Sequence, residues 1–350
     1  MEPLDDAKFS GTKEVAEHLT IEAAKLQPWI DEFVPEAGKI KSIEQFKGGQ
    51  SNPTYKITTD SKSLVLRRKP PGKLLPSAHA VDREYKVITA LYQTDVPVPK
   101  TYGLCEDDDV AGTAFFVMDF LDGDLFWDPM IPSVTNKDRT EIYKNKNKTL
   151  AKLHSVDYKK IGLEDYGKPG NYVARQVSRW SKQYRASETD DIEAMNNLIE
   201  WLPKNIPDDD ETSIVHGDYR LDNMILKDNQ VIGILDWELS TLGHPLADLS
   251  YQVMAWQLPQ DGGLRGLLNV DRNALEIPTD DAYVAKYCER TGRDTIENWN
   301  FYLVFCFFRL AAILQGVKKR ALIGTASSAE AESRGALVEP LAAYGVSFID

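Results

Sequence analysis

The sequence predicts an α+β protein in two parts, and three observations carry that expectation. The chain has 350 residues, more than the roughly 250 to 300 at which a single hydrophobic core stops growing. Short β-branched and aromatic runs separated by turns fill its first third, whereas beyond Asp122-Gly123 the apolar spacing becomes mainly helical. Apolar residues at 42% and charged residues at 27% are ordinary globular usage, which excludes a collagen-like or largely disordered chain.

Taken in order, residues 12 to 33 have the spacing of one or two amphipathic helices. Alternating residues then predict strands near 39 to 46, 53 to 59 and 63 to 68, the first two joined by Gly48-Gly49-Gln50-Ser51-Asn52-Pro53. Pro70-Pro71-Gly72 stops the third strand, a helix is expected from Val81 to Tyr92, and strands follow near 101 to 105 and 114 to 119. Five strands and one helix make the first part, 1–121. In the second, 122–350, helices are expected over Lys137 to His154, Tyr172 to Ser187, Asp191 to Leu202, Leu246 to Leu258, Asp280 to Arg290 and Thr295 to Val317. Only 213 to 236 interrupts them, where short apolar runs lead into His216-Gly217-Asp218 and end at Asp236. Charged side chains at the ends of short buried strands are well placed for chemistry.

Forty-one basic and 54 acidic side chains leave a net charge of -13, a field that repels nucleic acid and anionic membrane, so neither is expected as a partner. Phe301 to Val317 is apolar but contains Arg309 and Gln315, and reads as a buried core helix, since a span wants about 20 apolar residues. Cys105, Cys288 and Cys306 suit neither a disulfide framework nor a thiolate zinc site, and the acidic start lacks the pattern of a signal peptide. A cytoplasmic, reducing location is expected.

His216-Gly217-Asp218-Tyr219-Arg220-Leu221-Asp222-Asn223 has the spacing His-x-Asp-x-x-x-x-Asn, and Asp236 follows thirteen residues after Asn223. Each part alone is weak, because loop Asp and Asn residues commonly cap turns. Together with the Gly48 to Pro53 turn, Leu64 to Gly72, Asp82-Arg83-Glu84-Tyr85, Phe116 to Phe120 and Leu235-Asp236-Trp237-Glu238, they make the chain resemble the aminoglycoside phosphotransferase family over about residues 30 to 320. Leu242-Gly243-His244-Pro245-Leu246-Ala247-Asp248-Leu249, with Ser178-Arg179-Trp180, is similar to a branch related to the kinase-like domain fused in some organisms to an acyl-CoA dehydrogenase.

The resemblance implies a two-lobed protein-kinase-like fold: a five-stranded antiparallel nucleotide-binding lobe over 1–121 and a mainly helical catalytic and substrate-binding lobe over 122–350. It implies transfer from ATP, with Mg²⁺, to a small-molecule hydroxyl, chemistry that rests on positioning and charge neutralisation. Asp218 would orient the acceptor's proton, and Asn223 and Asp236 would bind Mg²⁺. His216 would be a strut and Asp248 would accept hydrogen bonds from the loop backbone. Glu238 is either a second metal contact or a solvated turn residue.

Gly48 and Gly49 would let backbone approach phosphates, with Ser51 and Asn52 adding polar groups; the alternative is an ordinary tight turn. Backbone near Asp119 and Leu121 would meet adenine. Arg67, with Glu84 as partner, stands where kinase-like enzymes usually carry a strand lysine, and Lys69 is its rival.

Asp236 and Asp248 are twelve residues apart, too close to admit a peptide platform between them, so a small alcohol is expected as acceptor. Arg175 and Arg179 beside Trp180 and Tyr184 on one predicted helix suit an anionic acceptor, such as a hydroxyacyl thioester of coenzyme A, over a polycationic aminoglycoside. The alternative is a solvated helix with its aromatics in the core. Two other activities compete: an inactive nucleotide-binding regulatory module, suggested by Arg67, and metal-dependent hydrolysis, which leaves the first lobe unexplained.

Overall fold

In the computed structural model residues 10–47, 52–72, 79–260, 265–324 and 331–349 are described. The chain packs as two compact units, one of Met1–Thr149, Asp157–Tyr166 and Arg220–Ser240, the other of Leu150–Val156, Gly167–Tyr219 and Thr241–Asp350. The sequence boundary after Leu121 follows the chain, whereas these packing units are discontinuous.

The first unit is built on a sheet of β1 (Thr12–Lys13), β2 (Ile40–Phe46), β3 (Thr54–Thr59), β4 (Ser63–Arg68), β5 (Thr101–Cys105) and β6 (Phe115–Asp119). Their order is β1-β2-β3-β4-β6-β5 and every pairing is antiparallel. The sixth strand is a correction to the expected five. Thr12 and Lys13 pair with Phe46 and Gln45 on the free edge of β2, so sheet pairing overrides a helical spacing there. Only Ala23–Phe33 of that region forms an α-helix, α1.

Period-two alternation decides what each face carries. Tyr55, Ile57, Leu64, Leu66, Phe115 and Val117 join Leu26, Trp29 and Ile30 of α1 in one core. Arg68 lies with that set, donating to Tyr55 Oη at 2.8 Å and to Leu19 O at 3.0 Å. Val65 and Arg67, at the alternate positions of β4, line a cavity instead. On α2 (Val81–Leu91), Val81, Glu84, Val87, Ile88 and Leu91 are buried, so a glutamate occupies the apolar stripe of an amphipathic helix. The acidic run at 107 to 109 forms a one-turn helix, α3 (Asp108–Ala111), capped by the Asp107 carboxylate.

The chain continues through α4 (Asn136–His154), α5 (Tyr172–Ser187), α6 (Glu193–Trp201), β7 (Ser213–Val215), β8 (Met224–Lys227), β9 (Gln230–Ile234), β10 (Thr241–Gly243), α7 (Leu246–Trp256), α8 (Asp280–Thr291), α9 (Trp299–Leu322), α10 (Ala331–Gly335) and α11 (Val338–Val346). The β8–β9 hairpin belongs to the first unit and turns through Asp228 and Asn229, both at positive φ, as a tight hairpin requires. Asp124 exchanges backbone hydrogen bonds of 2.7 and 2.8 Å with Leu226 of β8. A Cβ on Gly123 would lie 2.4 Å from Leu226 O, so this close approach requires glycine.

In the second unit, β7 pairs antiparallel with β10, and α9 packs against α5, α7, α10 and α11. Among the described residues α9 alone is long and apolar enough to cross a membrane, but its most apolar window is 67% buried inside the protein. It is the unit's core helix, with Phe301 to Phe308 all buried.

Two glycines test this packing in opposite directions. Gly123→Ala should destabilise by about 1 to 3 kcal/mol, because backbone and not a pliable side chain blocks the methyl group. Gly316→Ala, in the interior of α9 with the nearest obstacle 3.6 Å away, should stabilise by about 0.5 to 1 kcal/mol. Urea unfolding of both variants checks the signs; shifts in the same direction would contradict the packing described.

Candidate functional site

The first unit contains a cavity of about 640 Å³ walled by β3, β4, β6, the β8–β9 hairpin and the chain between them. Of the residues expected in the site, Arg67, Glu84, Asp119, Leu121, Asn223 and Asp236 line it. Val65, Met118, Ile225 and Ile234 supply apolar wall, and Lys56, Asp222 and Trp127 add groups that sequence reasoning missed. Lys56 was legible in principle, because it lies two residues from Thr54 on the same face of β3. Its ammonium sits 4.5 Å above the Phe120 ring.

Arg67 is the centre of the charged wall. Its Nη2 donates to Asp236 Oδ1 at 2.6 Å, and its Nε lies 2.8 Å from Glu84 Oε2, a contact of charges off the N–H axis. Glu238 Oε2 is 4.0 Å from Nη2, and Nη1 donates to Thr54 Oγ1 at 3.4 Å. One cation therefore faces three acids. Burial pushes the Glu84 carboxyl up to about 7, with Arg67 opposing that shift and Asp236 and Glu238 adding to it. Burial works against the Arg67 charge, but Glu84 and Asp236 outweigh it and raise its pKa above the ordinary value.

Local structure explains how these groups meet. Arg67 pairs with Thr54 and Phe116 in the sheet, which fixes its height on the wall. Asp236 takes φ 62° and ψ 62° at the start of a 3₁₀ turn over Trp237–Leu239, a left-handed conformation that is strained for a non-glycine residue and concentrates at functional sites. Asn223 is brought alongside by its carbonyl, which accepts from Leu235 N at 2.8 Å. Asp222 is held by Arg220 through contacts of 3.0 and 2.5 Å.

Other expected residues are placed differently. Asn52 is fully buried, donating to Glu84 Oε1 at 2.9 Å and lying 3.0 Å from His79 Nδ1. It braces the ion pair and is not among the residues lining the cavity. Gly48, Gly49 and Ser51 lie outside the described residues. Lys69 reaches Asp82 at 3.9 Å and is not among the cavity residues. Asp119 accepts from Tyr102 Oη at 2.7 Å and pairs with Lys62 at 3.0 Å.

Among the described residues no cluster of three His, Cys, Asp or Glu side chains could hold a metal. Asn223 and Asp236 offer an amide oxygen and a carboxylate, hard donors that fit Mg²⁺, which keeps water and phosphate oxygens as its remaining ligands.

In the second unit the loop carrying Asp218 is held from its backbone. The buried Asp248 carboxylate accepts from His216 N at 2.6 Å and Gly217 N at 2.8 Å. Burial raises its pKa, but His154, 3.4 Å away, and the His216 amide overcome this and hold the carboxyl below its usual range. His216 is itself fully buried, and its Nδ1 accepts from Asp218 N at 3.2 Å. Arg309 of α9 donates to Gly217 O at 3.1 Å. That arginine was read only as an argument against a membrane span; a charge in an apolar core helix was the available signal.

On α5, Arg175, Arg179 and Lys182 line a shallow groove. Arg175 is committed to the Gly170 and Lys168 carbonyls, and Arg179 lies 5.5 Å over Trp180. Tyr184 is fully buried, so it forms no exposed aromatic edge, in correction of the expectation; the helix turns that ring into the core.

The Glu84 shift sets a pH dependence. Its folded pKa is raised, so its contribution to stability is fully present below about 4.5 and is lost as pH rises through about 7. In urea titrations the stability of the parent relative to Glu84→Gln should fall across that window and level off above it. A rising difference would reverse the assignment.

The profile of the phosphotransferase enzyme family, APH, matches residues 42–292. The chain is 48% identical over 307 residues to mouse acyl-CoA dehydrogenase family member 10, covering 87% of this chain but 29% of that protein. It spans less than half the length of the acyl-CoA dehydrogenase relatives it matches. A crystal structure from Ralstonia eutropha JMP134, provisionally assigned as an aminoglycoside phosphotransferase, superposes with a TM-score of 0.87 at 47% identity, covering 94% of this chain and 98% of that one. A thermostable mutant of the aminoglycoside phosphotransferase APH(4)-Ia, in a ternary complex with ADP and hygromycin B, shares the fold with a TM-score of 0.61 at 10% identity, covering 93% and 98% of the two chains. With its kinase-like fold and a profile match over most of its length, this chain belongs to the phosphotransferase enzyme family.

Proposed function

We propose that the protein transfers the γ-phosphoryl group of ATP, with Mg²⁺, to a hydroxyl of a small anionic molecule. The observation that carries this reading is the cavity whose wall holds Arg67, Asn223 and Asp236 together. The apolar wall of Val65, Met118 and Ile234 suits a purine, and Arg67 suits phosphate oxygens. Mg²⁺ bound by Asn223 and Asp236 would neutralise charge on the phosphates. Asp218 would accept a hydrogen bond from the acceptor hydroxyl and take its proton as the new O–P bond forms and the bond from the γ-phosphorus to the bridging oxygen breaks, with ADP leaving on that oxygen. Asp248, His216 and Arg309 would keep the Asp218 loop in position. ADP bound to the aminoglycoside phosphotransferase APH(4)-Ia supports an adenine nucleotide for a chain of the same fold.

The acceptor class proposed is a hydroxyacyl thioester of coenzyme A. It is supported by Arg179 and Lys182 in the α5 groove and by relatives named as acyl-CoA dehydrogenases. Three free, buried cysteines accord with the cytoplasm as the compartment. A second reading, an inactive nucleotide-binding module, is favoured by one contact, the Arg67–Asp236 pair that occupies one oxygen of the metal-side carboxylate.

The test is ADP formation with 3-, 4- and 5-hydroxyacyl-CoA, with several aminoglycosides, and with no acceptor. Acceptor-dependent ADP release on the thioesters is expected, falling about 10² to 10⁴-fold in Asp218→Asn while Mg·ATP binding persists. Arg179→Glu should weaken use of the anionic acceptors. Release without an acceptor would point to hydrolysis, nucleotide binding without release to the inactive module, and preference for aminoglycosides would reject the acceptor class.

A further inference from the structure

Within Asp82-Arg83-Glu84-Tyr85, Glu84 faces the cavity and the adjacent Arg83 leaves α2 on its exposed side. Arg83 Nη2 donates to Tyr166 O at 2.8 Å and reaches Ser240 O at 3.5 Å, and its guanidinium lies 4.4 Å over the Tyr166 ring. Tyr166 is buried, with its hydroxyl 2.6 Å from Ser240 Oγ. Since Ser240 Oγ donates to Trp237 O, the Tyr166 hydroxyl is the donor to Ser240. One turn further along α2, Lys86 pairs with Asp165 at 2.6 Å. Ser240 closes the Trp237–Leu239 turn through a second bond, N to Trp237 O at 3.0 Å, and that turn begins at Asp236.

Neighbouring residues of one helix thus reach opposite ends of one turn. Glu84 acts on Asp236 through Arg67, and Arg83 acts on Ser240 directly and through Tyr166. A single attachment would leave the turn free to pivot about Asp236, whose left-handed backbone is already strained. A second attachment removes that freedom and sets where the carboxylate lies.

We propose that Arg83 is a positioning residue for Asp236, fixing the turn that carries the metal-side carboxylate to the helix that carries Glu84. This goes beyond the phosphotransfer reading but rests on it for the role given to Asp236. Arg83 lines no part of the cavity and touches no reacting group. Its effect is geometric, and a misplacement of about 1 Å costs on the order of 10²-fold in rate.

Two measurements test this. Hydrogen exchange of the 237–240 amides needs no activity: in Arg83→Ala it should accelerate about tenfold, with Arg83→Lys intermediate because a cation remains over the tyrosine ring. In the ADP-release assay Arg83→Ala should lower kcat about tenfold and raise the Mg²⁺ concentration for half-maximal rate, with little change in the KM for ATP. Tyr166→Phe, which removes only the hydroxyl link, should give a smaller change of the same kind, and the double variant should lose less than the two singles combined. Lys86→Ala, which breaks an exposed pair, should leave both readouts near the parent's.

Unchanged exchange at 237–240 in Arg83→Ala would overturn the proposal, as would an unaltered Mg²⁺ dependence in an active enzyme. If the parent itself releases no ADP, the phosphotransfer reading fails, and the exchange result still decides whether Arg83 fixes the turn. Should Arg83→Ala not fold, Arg83→Lys and Tyr166→Phe carry the same comparison.

Discussion

The buried guanidinium of Arg67 is the constraint around which the first unit is organised. At 8% exposure it has lost most of its hydration, and only close anionic partners can offset that cost. Glu84 and Asp236 supply them from α2 and from the end of β9. Removing one partner of such a buried pair typically costs about 3 to 5 kcal/mol. The positions of strand, helix and hairpin are therefore tied together by one side chain. Asn52 extends the tie to the start of β3, since its amide satisfies the other oxygen of Glu84.

Most of that arrangement follows from periodicity. A strand alternates its faces, so Arg67 and Arg68 serve different sites one residue apart: Arg68 braces the α1 side through Tyr55 and Leu19, and Arg67 enters the cavity. A helix repeats every three to four residues, so Glu84 shares the buried stripe with Val87, Ile88 and Leu91 while Arg83 is left outside. These two rules, applied to adjacent residues, divide the labour between cavity and scaffold.

The same rules explain what was legible in the sequence. The five long strands and the helices of the second part were readable because each has a strong period. The His216 to Asn223 spacing and Asp236 marked the loops because charged residues there end short apolar strands. β1 was not readable, since two residues have no period and take their conformation from the free edge of β2. The contact of Asn52 with Glu84 was not readable, because a side chain's direction at a strand end depends on a helix 32 positions away. Arg309 and Tyr184 show the converse: an arginine within a core helix holds Gly217 O, whereas a tyrosine beside basic residues is simply core.

Arginine at position 67 also bears on how the charges balance. A lysine ammonium is a compact point charge, whereas the planar guanidinium presents five donors in a fixed fork. Here that fork serves Asp236 and Thr54 while Nε faces Glu84. The cluster of Arg67, Glu84, Asp236 and Glu238 contains one permanent cation and three acids; burial raises the pKa of Glu84, the most buried of them, and the Asp236 and Glu238 charges add to that shift against the opposing Arg67. A divalent cation at Asp236 would supply the missing positive charge and favour ionised Glu84. The departure from lysine is then compatible with the proposed binding of a metal-nucleotide: the fork keeps the helix and the Asp236 turn in register, and the surplus of carboxylates would be left for a bound metal to neutralise.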